Sequence, residues 1–99
     1  MYRPLPPYLT IDSSKINGLG LFAVEPIKKS TNIGISHVKD RHFANGYIRT
    51  PLGGFINHSN TPNCKTFYEG RLISVITITD IKAGEELTLY YTMYDPSRT

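Results

Sequence analysis

The chain has 99 residues, of which 39% are hydrophobic and 19% charged. This length supports a single domain, residues 1–99, around one core, and the composition excludes a disordered or low-complexity chain. The formal net charge is +3, but Lys and Arg are spread along the chain, which argues against a nucleic-acid-binding surface. For a domain this small, a bound ligand or a homodimer partner would add noticeably to stability.

Neither a membrane span nor a secretory signal is visible in the sequence. The apolar runs are short, and residues 1–4 lack a charged-then-apolar start. We therefore expect a soluble, intracellular protein that does not enter a membrane. Cys64 is the only cysteine and the three histidines are scattered, so we expect no disulfide within the chain and no metal site.

Short β-favouring segments separated by Gly and Pro follow one another along the chain. No segment has a sustained helical period, so the sequence predicts a mostly β domain. The predicted strands cover residues 9–11, 21–24, 31–35, 47–49, 64–68, 72–79 and 86–91. Segments 24–31 and 79–86 both place an Ile-Lys turn between two strands, but two copies are too few for a repeat architecture.

Three further features bear on local structure. The sequence predicts a hairpin over residues 67–74, with Glu69 and Gly70 as its two-residue turn. Apolar residues at both alternating positions of 73–78 predict a core strand buried on both faces. The polar residues 37–46 predict a loop, which is the first candidate for a loop that sets specificity.

The first motif, residues 17–23, reads Asn-Gly-Leu-Gly-Leu-Phe-Ala. Its two glycines would allow the backbone to approach a ligand closely. It is not a dinucleotide-binding fingerprint, because the third glycine and the following helix are absent. Taken alone, it favours an ordinary tight turn.

The second motif, residues 57–64, reads Asn-His-Ser-Asn-Thr-Pro-Asn-Cys directly after the apolar Phe55-Ile56. Such polar groups form either a buried hydrogen-bond network or a recognition surface. The alternatives are a glycosylation acceptor, which would require secretion, an Asn-Pro turn, or a hydrogen-bonded core histidine at His58. The third motif, residues 84–91, reads Gly-Glu-Glu-Leu-Thr-Leu-Tyr-Tyr, which alone favours a turn and an edge strand.

Together and in this order, the three motifs resemble the SET domain of protein lysine methyltransferases, over about residues 9–94. The resemblance implies a mostly β fold of small curved sheets, with a C-terminal segment threaded under a loop like a pseudoknot. It also implies methylation of lysine side chains in a protein substrate, with S-adenosyl-L-methionine as the cofactor. The alternatives are an inactive SET-like module that binds a peptide or a partner, and a small basic nucleic-acid-binding domain.

The resemblance also implies roles for individual residues. The backbone of Gly18, Leu19 and Gly20 would lie along the methionine part of the cofactor. Asn57 would hydrogen-bond its amino-acid end, and the backbone at His58 would hold the adenine. Tyr91 matches the catalytic tyrosine by its place seven residues after Gly84. The residues expected at the substrate channel are Tyr90, Leu89, Thr66 and Tyr94.

Some positions depart from the family's pattern. Tyr90 stands where many relatives have an aspartate, and Ser30 stands at a turn that usually carries glycine. The segment between the first and second motifs is short, so a substrate range cannot be carried over. Neither Leu89 nor Thr66 is a tyrosine that could hold a blocking water, so we expect dimethyl or trimethyl product.

Overall fold

The computed structural model describes residues 5–43 and 46–90. Its strands are β1 (Leu9–Ser13), β2 (Leu19–Ala23), β3 (Asn32–Lys39), β4 (Tyr47–Arg49), β5 (Asn57–His58), β6 (Cys64–Glu69), β7 (Leu72–Thr77) and β8 (Glu86–Leu89), and its helix is α1 (Pro51–Phe55). The predicted mostly β domain is confirmed. In the described ranges, no helix is long and apolar enough to cross a bilayer.

Two four-stranded sheets make up the described part of the chain. Sheet I has the order β1-β2-β8-β5, and sheet II has the order β4-β3-β7-β6. Strand β8 therefore lies between two strands that precede it in sequence, antiparallel to β2 and parallel to β5. The course of the chain after Tyr90, on which the predicted threading depends, falls outside the described residues.

The core lies between the two sheets and α1. In β7, Ile73, Val75 and Thr77 are fully buried, whereas the alternate positions are partly exposed. The prediction that this strand is buried on both faces is therefore wrong. Strand β7 lies inside sheet II, but one face of the sheet is open. The buried apolar cluster includes Leu21, Ile33, Leu52, Ile56, Cys64, Val75, Ile81, Leu87 and Leu89.

The hairpin between β6 and β7 is confirmed, with its turn one residue later than predicted. Glu69 pairs with Leu72, so the two turn residues are Gly70 and Arg71. Gly70 has φ 60° at the first position, the pattern of a type II′ turn. This turn places the Arg71 side chain at the end of sheet II.

Residues 37–39 continue β3 and do not belong to the predicted loop. His37 is completely buried, with Nδ1 2.9 Å from the Ser36 hydroxyl. Burial, aided by the charge of Arg49, lowers the pKa of His37 to about 4, so the ring is neutral at physiological pH. A neutral, hydrogen-bonded histidine can occupy a core position, which polarity in the sequence does not reveal.

The two similar segments noted in the sequence pair with each other. Ile27 and Ile81 form an antiparallel bridge, with N–H to carbonyl oxygen distances of 2.9 and 2.8 Å. Both side chains are buried. The repeated Ile-Lys pattern thus marks two turns that share one patch of core.

We expect Ser30→Gly to raise the free energy of unfolding by about 0.5–1 kcal/mol. Ser30 has φ 66°, a left-handed conformation that costs a residue with a Cβ about 1–2 kcal/mol, and greater freedom of glycine in the unfolded chain offsets part of the gain. The corresponding turn has Gly84 at φ 87°. Urea denaturation measures the change. Ala83→Gly, one residue before Gly84, is the control and should destabilise; equal losses in both variants would contradict strain at Ser30.

Candidate functional site

The Asn57 side chain lies at the centre of a polar cluster beside β8. Its Nδ2 atom is 2.8 Å from Glu86 Oε2, 3.1 Å from Ser14 Oγ, and 3.2 Å from the carbonyl oxygens of both Asn17 and Leu19. An amide group has only two hydrogens on this nitrogen. Four acceptors therefore surround a group that can satisfy two of them, and we call these five residues the acceptor cluster.

Two properties of the acceptor cluster favour a cationic ligand. The carboxylate of Glu86 carries a negative charge and is only partly exposed. Asn57 Oδ1 accepts no hydrogen bond from any residue in the described ranges. An ammonium group carries three N–H donors and a positive charge, so it matches both the surplus acceptors and the charge.

The glycines of the first motif shape the backbone beside the cluster. A Cβ at position 20 would overlap the carboxylate of Glu86, so a larger residue there would require the Glu86 side chain to move out of the acceptor cluster. Gly18 has φ 47° and open space where a Cβ would stand, so its need for glycine is conformational. The Leu19 side chain is 51% exposed. The first motif therefore supplies a turn at Gly18 and space for the Glu86 side chain beside Gly20.

Ser14 belongs to the acceptor cluster, although the sequence analysis did not identify it. Its hydroxyl donates to Glu86, at 2.8 and 2.9 Å from the two carboxylate oxygens, and accepts from the N–H of Ile16 at 2.9 Å. A hydroxyl that bonds to a backbone N–H two residues later is typical of a serine turn. The contact with Glu86 spans 72 residues in sequence, and nothing local in the sequence indicates it.

Asn63, in the second motif, has a structural role. Its Nδ2 donates to the Glu86 carbonyl at 2.8 Å, and its Oδ1 accepts from the Thr88 N–H at 2.8 Å. The side-chain amide thus hydrogen-bonds the β8 backbone as a neighbouring strand would. Asn63 holds β8 in place, and β8 in turn carries Glu86 into the acceptor cluster.

His58 and Tyr90 lie next to each other at the end of the β5–β8 pair. Their ring centroids are 4.9 Å apart, at an interplanar angle of 50°. His58 Nε2 is 3.3 Å from Asn60 Oδ1, and Tyr90 is 54% exposed. The structure therefore brings Tyr90 to a predicted cofactor residue, while its predicted place at a substrate channel stays a prediction.

The remaining predicted channel residues fall in different places. Leu89 is 1% exposed and belongs to the core cluster, and Thr66, half-buried, pairs with Val75 and so shares the inner face of sheet II. Tyr91 and Tyr94 lie outside the described residues. The grouping of Tyr91 with Asn57 and His58, and the channel itself, therefore stay predictions.

A nucleophilic cysteine does not fit this structure. Cys64 is buried, and burial raises the pKa of its thiol to about 12, so the thiolate is scarcely populated near neutral pH. Among residues 5–43 and 46–90, no three His, Cys, Asp or Glu side chains are grouped to hold a metal ion.

Comparisons with known proteins agree with this architecture. Residues 35–92 match the family model of the SET domain. A Plasmodium falciparum protein assigned as a histone methyltransferase has a similar crystal structure, with TM-score 0.70 and 21% identity, over 88% of this chain and 95% of that chain. The methyltransferase domain of human PR domain-containing protein 2 gives TM-score 0.69 and 19% identity, over 92% and 81%. No curated protein sequence matches. At these identities the structural likeness shows the fold alone. This fold is the one that the three sequence motifs predict.

Proposed function

The chain belongs to the SET-domain family, and from this premise we propose that it transfers methyl groups from S-adenosylmethionine to lysine side chains of a protein substrate. Two proteins with a similar structure are described as methyltransferases. The observation that carries the proposal is the acceptor cluster. In it, Asn57 of the second motif contacts Leu19 of the first motif and Glu86 of the third.

The residues of the acceptor cluster suit the ammonium group at the amino-acid end of S-adenosylmethionine. That end carries an ammonium group, which Asn57 Oδ1, the Leu19 carbonyl and the Glu86 carboxylate would hold. The backbone at Gly18, Leu19 and Gly20 would lie along the methionine chain, and of these residues Gly18 and Leu19 are exposed and Gly20 is buried. The backbone at His58, on the edge strand β5 of sheet I, would hold the adenine.

The chemistry requires a neutral lysine nitrogen aligned for in-line attack. The cofactor supplies an electrophilic methyl group on a positively charged sulfonium. An apolar channel disfavours the ammonium form and lowers the pKa of the lysine, so the proton can leave to solvent. Buried Leu89 and half-buried Thr66 would contribute to such a channel, and the phenol of Tyr91 would orient the amine. No strong general base is then required.

We expect Asn57→Ala to weaken binding of S-adenosylmethionine by about 1.5–3 kcal/mol, because a hydrogen bond to a charged group is lost. Isothermal titration calorimetry measures the dissociation constant. Glu86→Gln, which keeps the shape of the side chain and removes its charge, should also weaken binding.

Asn32→Ala is the matched control, because Asn32 lies on β3 and accepts from the N–H of Gly34, away from the acceptor cluster. Its affinity for the cofactor should equal that of the wild type. Wild-type affinity in Asn57→Ala would rule out the acceptor cluster as the ammonium site. A wild-type chain that binds no cofactor at millimolar concentration would contradict the proposed function itself.

A further inference from the structure

A surface cleft outside the acceptor cluster lies where the β3–β4 connection meets the β6–β7 turn. Its volume is about 670 Å³. Among the described residues, its lining includes three basic side chains, of Lys39, Arg41 and Arg71, and one carboxylate, of Asp40. The cleft therefore has an excess of positive charge, which suits an anionic ligand.

Arg71 is fixed at the base of the cleft. The backbone N–H of Lys39 donates to the Arg71 carbonyl at 2.7 Å, and Arg71 Nε donates to the Lys39 carbonyl at 3.1 Å. The two terminal guanidinium nitrogens hydrogen-bond to no residue in the described ranges. Because Nε is anchored, the outer edge of the guanidinium is held ready to bind a carboxylate with two hydrogen bonds.

The single carboxylate of the described lining compensates only part of this positive charge. Lys39 Nζ lies 5.3 Å from the centroid of the Tyr68 ring and, like Arg41, forms no salt bridge within the described ranges. The carboxylate of Asp40 is held within its own loop, where it accepts from the His42 N–H at 2.9 Å and lies 3.0 Å from His42 Nδ1. The His42 N–H and, to a smaller extent, the charge of Arg71 lower the pKa of Asp40, so this carboxylate offsets part of the charge of Arg71. An incoming anion would still meet more cations than carboxylates in the lining.

The backbone of the loop is also hydrogen-bonded. The N–H of Asp40 donates to the Gly46 carbonyl at 2.8 Å, and the N–H of Gly46 donates to the Phe43 carbonyl at 2.9 Å. The N–H of Phe43 donates back to the Asp40 carbonyl at 3.2 Å. These bonds limit the ordering cost that a ligand would meet on binding.

We propose that this cleft binds an acidic segment of the protein substrate, away from the lysine that is methylated. This inference rests on the proposed function and names a class of substrate for it. The longest dimension of the domain is 37 Å, and an extended peptide advances about 3.3–3.6 Å per residue. An extended spacer of roughly ten residues between the target lysine and the acidic segment is therefore long enough to cross the domain, whereas a uniformly basic segment would be repelled.

The test compares two fluorescein-labelled peptides that differ only in charge. Each carries a lysine followed, after about ten residues, by a run of glutamates in one peptide and of glutamines in the other. Fluorescence anisotropy without cofactor should give roughly tenfold tighter binding of the glutamate peptide at low salt, equivalent to about 1.4 kcal/mol. High salt should remove most of this preference.

Arg71→Gln should abolish most of the preference for the glutamate peptide. Lys39→Gln should do the same, and it leaves the hydrogen bonds between Arg71 and the Lys39 backbone intact, because the Lys39 side chain takes no part in them. Lys82→Ala, which removes a positive charge outside the lining of the cleft, should keep the preference. Equal binding of the two peptides by the wild-type chain would overturn the proposal, as would an unchanged preference in both Gln variants. It would also be overturned if a single-stranded oligonucleotide displaced the glutamate peptide more effectively than the unlabelled peptide does.

The same peptides separate this inference from the proposed function, because binding is measured without methyl transfer. With S-adenosylmethionine added, the glutamate peptide should be methylated with a lower KM and a similar kcat. Methylation of both peptides with equal KM would contradict the acidic-segment proposal and support the proposed methyltransferase activity. If the glutamate peptide binds more tightly but neither peptide is methylated, the proposed function is contradicted and the cleft is still supported as a site for acidic peptides.

Discussion

Tyr91→Phe is expected to lower the rate of methyl transfer by about 100-fold or more, the usual effect of removing one hydrogen-bond donor positioned at a reacting centre. The substitution removes only the hydroxyl and keeps the aromatic ring. Cofactor affinity, measured by calorimetry, should therefore stay close to that of the wild type. Single-turnover kinetics with labelled cofactor measures the chemical step separately from product release.

Tyr90→Phe is the matched control for Tyr91→Phe. The ring of Tyr90 lies on His58 and is largely exposed, and a phenylalanine keeps that contact. This variant should retain most of the rate. If both variants turn over equally well, the assignment of Tyr91 as the catalytic tyrosine is wrong.

Gly53→Ala is expected to destabilise the fold by about 2–3 kcal/mol. A Cβ at this position would overlap the carbonyl oxygen of Ser36 on β3, and overpacking of this kind typically costs 1–3 kcal/mol. The same oxygen accepts from the N–H of Thr50 at 2.9 Å and from its hydroxyl at 3.2 Å. The overlapping atom belongs to the backbone, so a change of rotamer cannot relieve the contact.

Gly54→Ala, the adjacent position of α1, provides the control in urea denaturation. No atom lies within 4 Å of a Cβ placed there, and alanine favours a helix over glycine by about 1 kcal/mol. This variant should be as stable as the wild type or more stable. A Gly53→Ala protein as stable as Gly54→Ala would contradict the close packing of α1 against β3.

The sequence predicts those strands whose residues carry a local signal. The predicted strand 47–49 has the same bounds as β4, and the predicted strands 64–68 and 72–79 end within two residues of β6 and β7. These agreements arise because β-favouring runs end at glycines or charged turns. Strand β5 has only two residues and exists because Asn57 and His58 pair with β8. Helix α1 contains two glycines in five residues and depends on the Thr50 cap and on packing.

The candidate site, too, could be predicted only in part from the sequence. The motifs identify Leu19 and Asn57, which the fold brings to 3.2 Å between Nδ2 and the carbonyl oxygen. Glu86 stands in the third motif, yet its contact with Ser14 depends on how β1, β2 and β8 assemble. Pairing between strands that are distant in sequence is a tertiary property, so composition and periodicity could not have revealed the full acceptor cluster or the cleft at Arg71.

The most direct test of the account is mass spectrometry of proteins incubated with the wild-type chain and S-adenosylmethionine that carries a deuterated methyl group. Cell extracts and purified basic and acidic proteins provide the candidate substrates. We expect deuterated methyl groups on lysine side chains, more than one per lysine at long times, and their loss with Tyr91→Phe. Cofactor binding with no methyl transfer to any lysine would contradict this expectation, and would leave a SET-like domain that binds its ligand without catalysing the reaction.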